Sequence, residues 1–300
     1  MPETHTGVAS KQLAAQFKGE SPMSLMTNRI CKQFGLIALS VVFSGMVTLL
    51  IPGYSALAQT GREIMEKVND REDGDNQVST MEMILIDKNK NKRVRSVKSH
   101  NKDKGEDSLS LMFFLSPSDV KGTGFLTYDY DAAGKDDDQW LYLPALRKTK
   151  RIASSDKSGS FMGTDFNFSD LTSPDLDDFN YKLMKEVEVD GKKTWQIQAV
   201  PKSQEIMEET GYSKSVMWVR QDNHVVIRAV RWVHKSRRMK YFQVSKLEQI
   251  DGIWVALQLS MTTKEGKSTV HSTVLNISDV RFNQDLSEDL FTVRQLEKGL

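Results

Sequence analysis

The chain has 300 residues, enough for two average domains or one large β domain. Its 41 Lys and Arg residues balance 40 Asp and Glu residues, so it lacks the basic surplus that is typical of nucleic-acid-binding proteins. The single cysteine, Cys31, excludes a disulfide framework and a cysteine-rich zinc site.

The first 58 residues have the pattern of an export signal. A basic stretch precedes an uncharged, mainly apolar run at residues 34–51, and small residues follow at 56–58. This order predicts a secretory signal peptide that is cleaved after Ala58. We therefore expect residues 1–58 to be an N-terminal extension plus a removed signal peptide, and residues 59–300 to form a single β domain. Because the apolar run is long, an uncleaved membrane anchor is the alternative.

The remaining chain opens with one helix pattern and continues with strand patterns. Residues 61–72 carry their apolar side chains on one stripe, which predicts a short amphipathic helix. Runs with alternating apolar and polar residues follow, of which 253–261 is the clearest, and these predict half-buried strands. Turn pairs such as Asp190 and Gly191 join the runs and indicate hairpins. We count about eleven strands between residues 77 and 282 and expect a mainly β, antiparallel sheet.

A segment without a strand pattern interrupts the sheet at residues 153–180. It contains the large apolar residues Phe161, Met162, Phe166 and Phe168, which are unexpected in a solvated loop. A large sheet with so few helices has to close on itself or curl around something, and an incompletely closed sheet would enclose an apolar cavity. We expect the segment to be a short helical lid over that cavity, and a plain packed loop is the alternative.

Three stretches of the sequence carry a family resemblance. They are residues 124–126, the strand and basic strand at 140–152, and the Ser-Phe-Met-Gly-Thr-Asp-Phe segment at 160–166. Together they resemble the outer membrane lipoprotein-sorting proteins, which are relatives of the periplasmic lipoprotein carrier LolA and are often encoded beside RND-type exporters. The resemblance covers most of the chain after the predicted signal peptide.

This resemblance implies both a fold and a function. The fold would be an unclosed, antiparallel β-barrel of the LolA and LolB kind, with an N-terminal helix and a short helical lid over a hydrophobic cavity. The function would be to carry a lipid or a lipoprotein acyl chain in the periplasm, with an inner-membrane RND-type exporter or an outer-membrane acceptor as a partner. No cofactor and no nucleic acid belong to such a function. The alternative is a lipid-responsive sensor that binds a membrane regulator, as the related RseB-type proteins do.

The candidate ligand-binding residues are the large apolar side chains of the motif, the interrupting segment and one later strand. They are Trp140, Tyr142, Leu143, Phe161, Met162, Phe166, Phe168 and Trp218. Because neighbouring strand residues point to opposite faces, Trp140 and Tyr142 share one face and Leu143 lies on the other. One of these faces should line the cavity, and alternation alone does not say which.

A basic strand follows the motif. Arg147, Lys150 and Arg151 are candidates for contact with an anionic lipid headgroup or with a partner protein. The alternative for these residues is a solvated edge strand, in which charge prevents strands of different molecules from pairing.

Enzyme motifs are absent from the sequence. It contains no Gly-x-Ser-x-Gly nucleophile elbow and no phosphate-binding glycine loop. Its histidines are dispersed without the spacing of metal ligands. The stretch from Asp129 resembles a calcium loop only faintly, because Ala133 and Trp140 occupy positions that need oxygen ligands. We therefore expect no catalytic residue, no metal and a protein that is not an enzyme, with an enzyme acting on lipid or glycan as the third hypothesis.

Overall fold

The computed structural model describes residues 59–132 and 134–300, and the predicted signal peptide lies outside this part. Its α-helices are α1 (Gly61–Asn69), α2 (Gln204–Thr210) and α3 (Val293–Lys298). Its strands are β1 (Asn76–Asp87), β2 (Lys92–Lys104), β3 (Asp107–Ser116), β4 (Gly124–Asp129), β5 (Asp138–Leu143), β6 (Lys148–Arg151), β7 (Phe179–Val189), β8 (Lys192–Pro201), β9 (Tyr212–Arg220), β10 (Val226–Val233), β11 (Arg238–Ile250), β12 (Ile253–Glu265) and β13 (Ser268–Phe282).

All of these strands lie in one 13-stranded sheet whose hydrogen-bonded neighbours are antiparallel. The order runs from β6 back to β1, continues with β13 and returns to β7. β6 and β7 are therefore the two ends of the sheet, and within the described chain they do not pair with each other, so the sheet is not closed into a barrel. The prediction of a mainly β, antiparallel and unclosed sheet is confirmed, with 13 strands instead of about eleven.

Helix α1 begins where its sequence provides a cap. The Thr60 hydroxyl accepts the backbone N–H of Glu63, and the Glu63 carboxylate accepts the N–H of Thr60 at 2.7 Å. Ile64 and Met65 are buried against β7, β8 and β9, which confirms the predicted apolar stripe. The helix ends at Asn69, earlier than expected, because residues 70–73 carry no apolar side chain that could continue the buried stripe.

The other two helices were not expected from the sequence. Helix α2 has 7 residues and helix α3 has 6, so neither is long enough to show a helical repeat of apolar positions. Each begins with a hydroxyl cap, from Ser203 and Thr292 respectively. Within the described chain, no helix combines the length and the hydropathy that a membrane crossing needs.

The two faces of the sheet are covered by different parts of the chain. On the face that we call inner, Met83 and Phe125 pack against residues 152–178, which we call the inner segment. On the opposite, outer face, Leu126 packs under residues 286–298, which we call the outer segment and which contain α3. Strands β3, β4 and β5 are thus covered on both faces, and their apolar residues alternate between two separate cores.

A glycine allows the outer segment to lie close to the sheet. A Cβ atom at Gly124 would come within 2.6 Å of Cδ1 of Leu296 and within 2.8 Å of the Phe113 ring. Any larger residue at this position would therefore push α3 away from β4.

Candidate functional site

The inner segment folds into a series of short 3₁₀ turns that place its aromatic side chains against the sheet. Phe161 is only 2% exposed, and its ring centroid lies 5.0 Å from that of Phe125 and 5.7 Å from that of Phe168. Phe166 is buried in the same cluster, and Met162 packs against it. The large apolar residues of this segment therefore fill the inner side of β1–β5 instead of facing solvent.

A buried carboxylate anchors the centre of this segment. Asp165 accepts hydrogen bonds from the hydroxyls of Thr263 at 2.5 Å and Thr273 at 2.7 Å, and its Oδ2 atom lies 2.6 Å from Nδ1 of His271. The backbone N–H of Asp165 also donates to the Thr273 hydroxyl at 3.0 Å. Since these three partners lie on β12 and β13, they fix the segment over the middle of the sheet.

A second carboxylate anchors the segment to strands β9 and β10. Asp170 accepts hydrogen bonds from Arg231 and, at 2.7 Å, from the Tyr212 hydroxyl. Burial raises the pKa of Tyr212 well above its usual value, so this phenol stays protonated as a donor. Nearby, the Lys240 ammonium donates to Oδ1 of Asn167 at 2.6 Å, and burial lowers the pKa of Lys240. No local sequence pattern predicts these contacts, because their partners are 42 to 73 residues apart along the chain.

Beside the anchored segment, the inner face forms an open cavity of about 380 Å³, which we call the inner cavity. Its apolar lining comes from Leu171 of the inner segment and from side chains of β12 and β13, among them Leu259 and Ile277. Thr127 contributes a polar group to its wall, and Asp73, Asp103 and Asp129, which we call the acidic rim, also line it. The cavity is therefore lined by apolar side chains together with acidic, basic and uncharged polar ones.

Among these rim groups, Asp129 has the most strongly shifted pKa. It accepts the backbone N–H of Ser173 at 2.8 Å, which ties the end of the inner segment to β4. Burial, together with the neighbouring Asp137 carboxyl, raises the pKa of Asp129 to about 6. This carboxyl consequently changes charge within the pH range in which most proteins work.

The structure divides the predicted ligand-binding residues between the two faces. Leu143, Phe161, Met162, Phe166 and Phe168 come together in the apolar cluster on the inner face. They pack beside the inner cavity, whose own lining from this region is Leu171. Sequence reasoning did not find that lining, because strand residues such as Ile277 have no motif that distinguishes them from ordinary core.

The two aromatic residues of the motif strand lie on the other face. Trp140 and Tyr142 pack in the outer cluster, where the Trp140 ring stands 5.1 Å from that of Tyr128 beneath the outer segment. Trp218 also points outward, because its neighbours Met217 and Val219 face helix α1 on the inner side. These three residues therefore do not reach the inner cavity, and strand alternation is the physical reason.

The basic residues of the motif lie at one end of the sheet. Lys150 and Arg151 belong to the edge strand β6, and Arg147 stands in the turn before it. All three are exposed; the Lys150 ammonium lies 3.0 Å from Asp156, and Arg151 pairs with Asp138. This position fits the edge-strand interpretation, and none of the three residues lines the inner cavity.

An unclosed antiparallel sheet with an irregular segment across its inner face places the protein among the LolA-like folds. A LolA superfamily protein from Nitrosomonas europaea matches 79% of this chain and 100% of its own, with 17% identity and a TM-score of 0.59. At this identity the match shows a shared fold.

Two further solved structures are more similar in sequence. A DUF1329 family protein from Desulfovibrio piger is 32% identical over 79% of this chain and 97% of its own, with a TM-score of 0.72. A domain from Vibrio parahaemolyticus that is named for outer membrane lipoprotein sorting is 31% identical over 79% of this chain and 98% of its own, with a TM-score of 0.71. A family model described as an uncharacterized protein matches residues 106–298, and no curated protein matches. The chain belongs to the DUF1329 family, and the predicted resemblance to the lipoprotein-sorting proteins is confirmed.

Proposed function

We propose that this protein is a non-enzymatic periplasmic carrier that holds a lipid or the acyl chain of a lipoprotein in the inner cavity. The observation that carries this proposal is the cavity itself, which lies between an open sheet and the inner segment. Its volume of about 380 Å³ falls within the range of roughly 300–1,000 Å³ that is typical of small-molecule sites.

The chemistry of the cavity wall favours an apolar cargo. Leu171, Leu259 and Ile277 offer side chains that remain only partly buried, so a bound chain would cover them. Each CH₂ group that leaves water contributes about 0.8 kcal/mol, so even part of an acyl chain would bind measurably.

The relatives support the same class of function. One solved relative is named for outer membrane lipoprotein sorting, and the more distant one belongs to the LolA superfamily. In the proposal, residues 1–58 direct export and are removed, residues 59–300 act as one domain, and cargo passes to an outer-membrane acceptor or comes from an RND-type exporter.

The test is to fill the cavity and measure binding. We expect the full chain, exported through its own signal and purified without detergent, to carry extractable lipid or acylated peptide and to bind a fluorescent fatty-acid probe. Ile277→Trp should reduce the probe affinity at least tenfold, because the indole would occupy the cavity.

Ser278→Trp is the matched control, since Ser278 is the next residue on β13 and is exposed. It should bind the probe as the wild type does. A protein that carries no lipid and binds no probe would exclude a carrier function, and equal losses in both variants would place the ligand elsewhere.

A further inference from the structure

We propose that the inner cavity selects an amphiphile that carries a protonated amine, with the ammonium group seated between the acidic rim and Thr127 and the apolar tail along Leu259 and Ile277. This inference rests on the proposed function and names the class of cargo. Long-chain amines and lipids with an ethanolamine headgroup belong to that class.

The first observation is that the rim carries carboxyl groups that are not neutralised. Asp73, Asp103 and Asp129 all line the cavity, and among the residues that the structure describes none of them forms an ion pair. Asp103 accepts only a long hydrogen bond from Ser108, at 3.4 Å. Partial burial and the neighbouring Asp73 raise the pKa of Asp103.

The basic residues at the same rim have other partners. Arg71 donates to the backbone carbonyls of Glu72 at 3.0 Å and Trp254 at 3.2 Å. The Lys102 ammonium donates to the carbonyl of Leu286 at 2.5 Å, in the outer segment. Both cations thus donate to backbone oxygens and form no ion pair with these carboxylates in the described chain, although the nearby Arg71 charge partly offsets the burial that raises the pKa of Asp73.

The second observation is independent of the acidic residues. The Thr127 hydroxyl is buried in a residue that is 1% exposed, lines the cavity and has no hydrogen-bond partner among the described residues. Across the strand pair lies Gln139, which is 0% exposed and is not one of the residues that line the cavity. Its Nε2 donates to the Phe168 carbonyl at 3.0 Å, and its Oε1 atom is likewise unpartnered in the described chain.

The Thr127 hydroxyl indicates what kind of ligand atom belongs in the cavity. A hydroxyl either donates or accepts, so a ligand group that donates can satisfy it. A buried polar group without a partner is costly, and a ligand that supplies the missing bond gains that free energy on binding. An ammonium group offers three donors and a positive charge, which matches Thr127 and the Asp129 carboxylate on the same face of β4.

The arrangement suits an organic cation better than a metal ion. In the described part of the chain, no group of three or more His, Cys, Asp or Glu side chains converges closely enough to hold a metal. The rim carboxyls line the cavity together with apolar side chains such as Leu259 and Ile277. A cationic head with an apolar tail fits both surfaces at once.

The experiment compares ligands that differ only in the head group. Dodecylamine, dodecanol and dodecanoate are titrated into the full-length exported protein at pH 7.5 by calorimetry, where the amine is protonated. We expect dodecylamine to bind about tenfold more tightly than dodecanol, and dodecanoate to bind more weakly than either. In Asp129→Asn the ratio of amine to alcohol affinity should fall from about ten to about one.

Asp119→Asn is the matched control, because Asp119 is an exposed carboxylate in the turn at the far end of β4. It should keep the tenfold ratio. Equal affinities for amine and alcohol in the wild type, an unchanged ratio in Asp129→Asn, or a preference for dodecanoate would each overturn this inference while leaving the carrier function in place. If none of the three ligands binds, the proposed function fails as well.

Discussion

The inner and outer segments cover the same three strands from opposite sides, yet different forces hold them. The outer segment buries Phe291 and Leu296, and its polar contacts are to backbone oxygens or between exposed side chains, as in the hydrogen bond from Tyr128 to the Phe291 carbonyl at 2.6 Å. The inner segment buries Phe161 as well, but it also buries the carboxylates of Asp165 and Asp170 with their partners.

The outer segment therefore mainly covers its face of the sheet, whereas the inner segment is also held in a defined position. Apolar contacts tolerate small shifts, whereas a buried carboxylate needs each of its donors at hydrogen-bond distance. Buried ionic groups contribute little net stability, but removing one partner is costly. The inner segment is therefore held in one position beside the cavity, and its position depends on charge in a way that the position of the outer segment does not.

The largest expected effect comes from the apolar side chains that each segment buries against its own face of the sheet. Phe161→Ala removes a ring packed against Phe125 and Phe168 and should lower the free energy of unfolding by about 3–5 kcal/mol. Leu296→Ala in the outer segment should cost about 2–5 kcal/mol. Urea denaturation measures both, and Leu146→Ala, at a 67% exposed side chain, serves as the control with little change.

Ligand binding separates these two variants. Phe161→Ala should also weaken binding of the fatty-acid probe under conditions where the protein stays folded, whereas Leu296→Ala should leave it unchanged. A cost below about 1 kcal/mol for Phe161→Ala would mean that the inner segment is only loosely packed.

The next effect tests the buried anchor. Asp165→Ala leaves Thr263, Thr273 and His271 without their acceptor and should cost about 2–4 kcal/mol. Because these contacts hold the segment locally, trypsin should cleave the variant faster at Lys157, within the inner segment, than it cleaves the wild type.

Glu297→Ala is the counterpart in the outer segment, where the carboxylate accepts a hydrogen bond from Thr149 at an exposed site. It should change stability by less than about 1 kcal/mol and leave cleavage at Lys157 unchanged. Equal cleavage rates in Asp165→Ala and the wild type would show that the aromatic contacts alone position the segment.

Local patterns in the sequence predicted the sheet but not the buried carboxylates that anchor the inner segment. Alternation such as that of residues 253–261 depends on neighbouring residues, so it indicated the inward-facing side of β12 correctly. The contacts of Asp165 join residues 98 to 108 positions apart, and no periodicity reports such pairs. The motif drew attention to this aspartate only as part of a longer match.

The assignment of faces shows the same limit. Trp140, Tyr142 and Leu143 form part of one motif, and alternation correctly separates the first two from the third. Which face is inner depends on where the outer segment docks, more than 140 residues later in the chain, with Gly124 allowing the close approach. The sequence of the strand alone therefore does not determine which of its faces is the inner one.

The smallest expected effect is a gain in stability, and it concerns Asp129, which accepts the backbone N–H of Ser173 at the end of the inner segment. The pKa of Asp129 is raised to about 6 from an ordinary value of 3.8, chiefly by burial. Folding therefore favours the protonated carboxyl, so the wild type loses stability as the pH rises from about 4 to about 6, and the loss stays complete above that range. Asp137 faces Asp129 and has a raised pKa too, mainly through burial, although Lys157 acts against that rise.

Asp129→Asn removes this titration while keeping the hydrogen bonds. An asparagine oxygen can still accept the Ser173 N–H, and its amide can donate to the Asp137 carboxylate. Thermal and urea unfolding should therefore show the variant to be about 2 kcal/mol more stable than the wild type at pH 7.5 and equal to it near pH 4. Asp119→Asn should show no such pH dependence. A variant that is less stable than the wild type at pH 7.5 would mean that other groups already stabilise the charged form of Asp129. The acidic rim would then not need a cationic ligand.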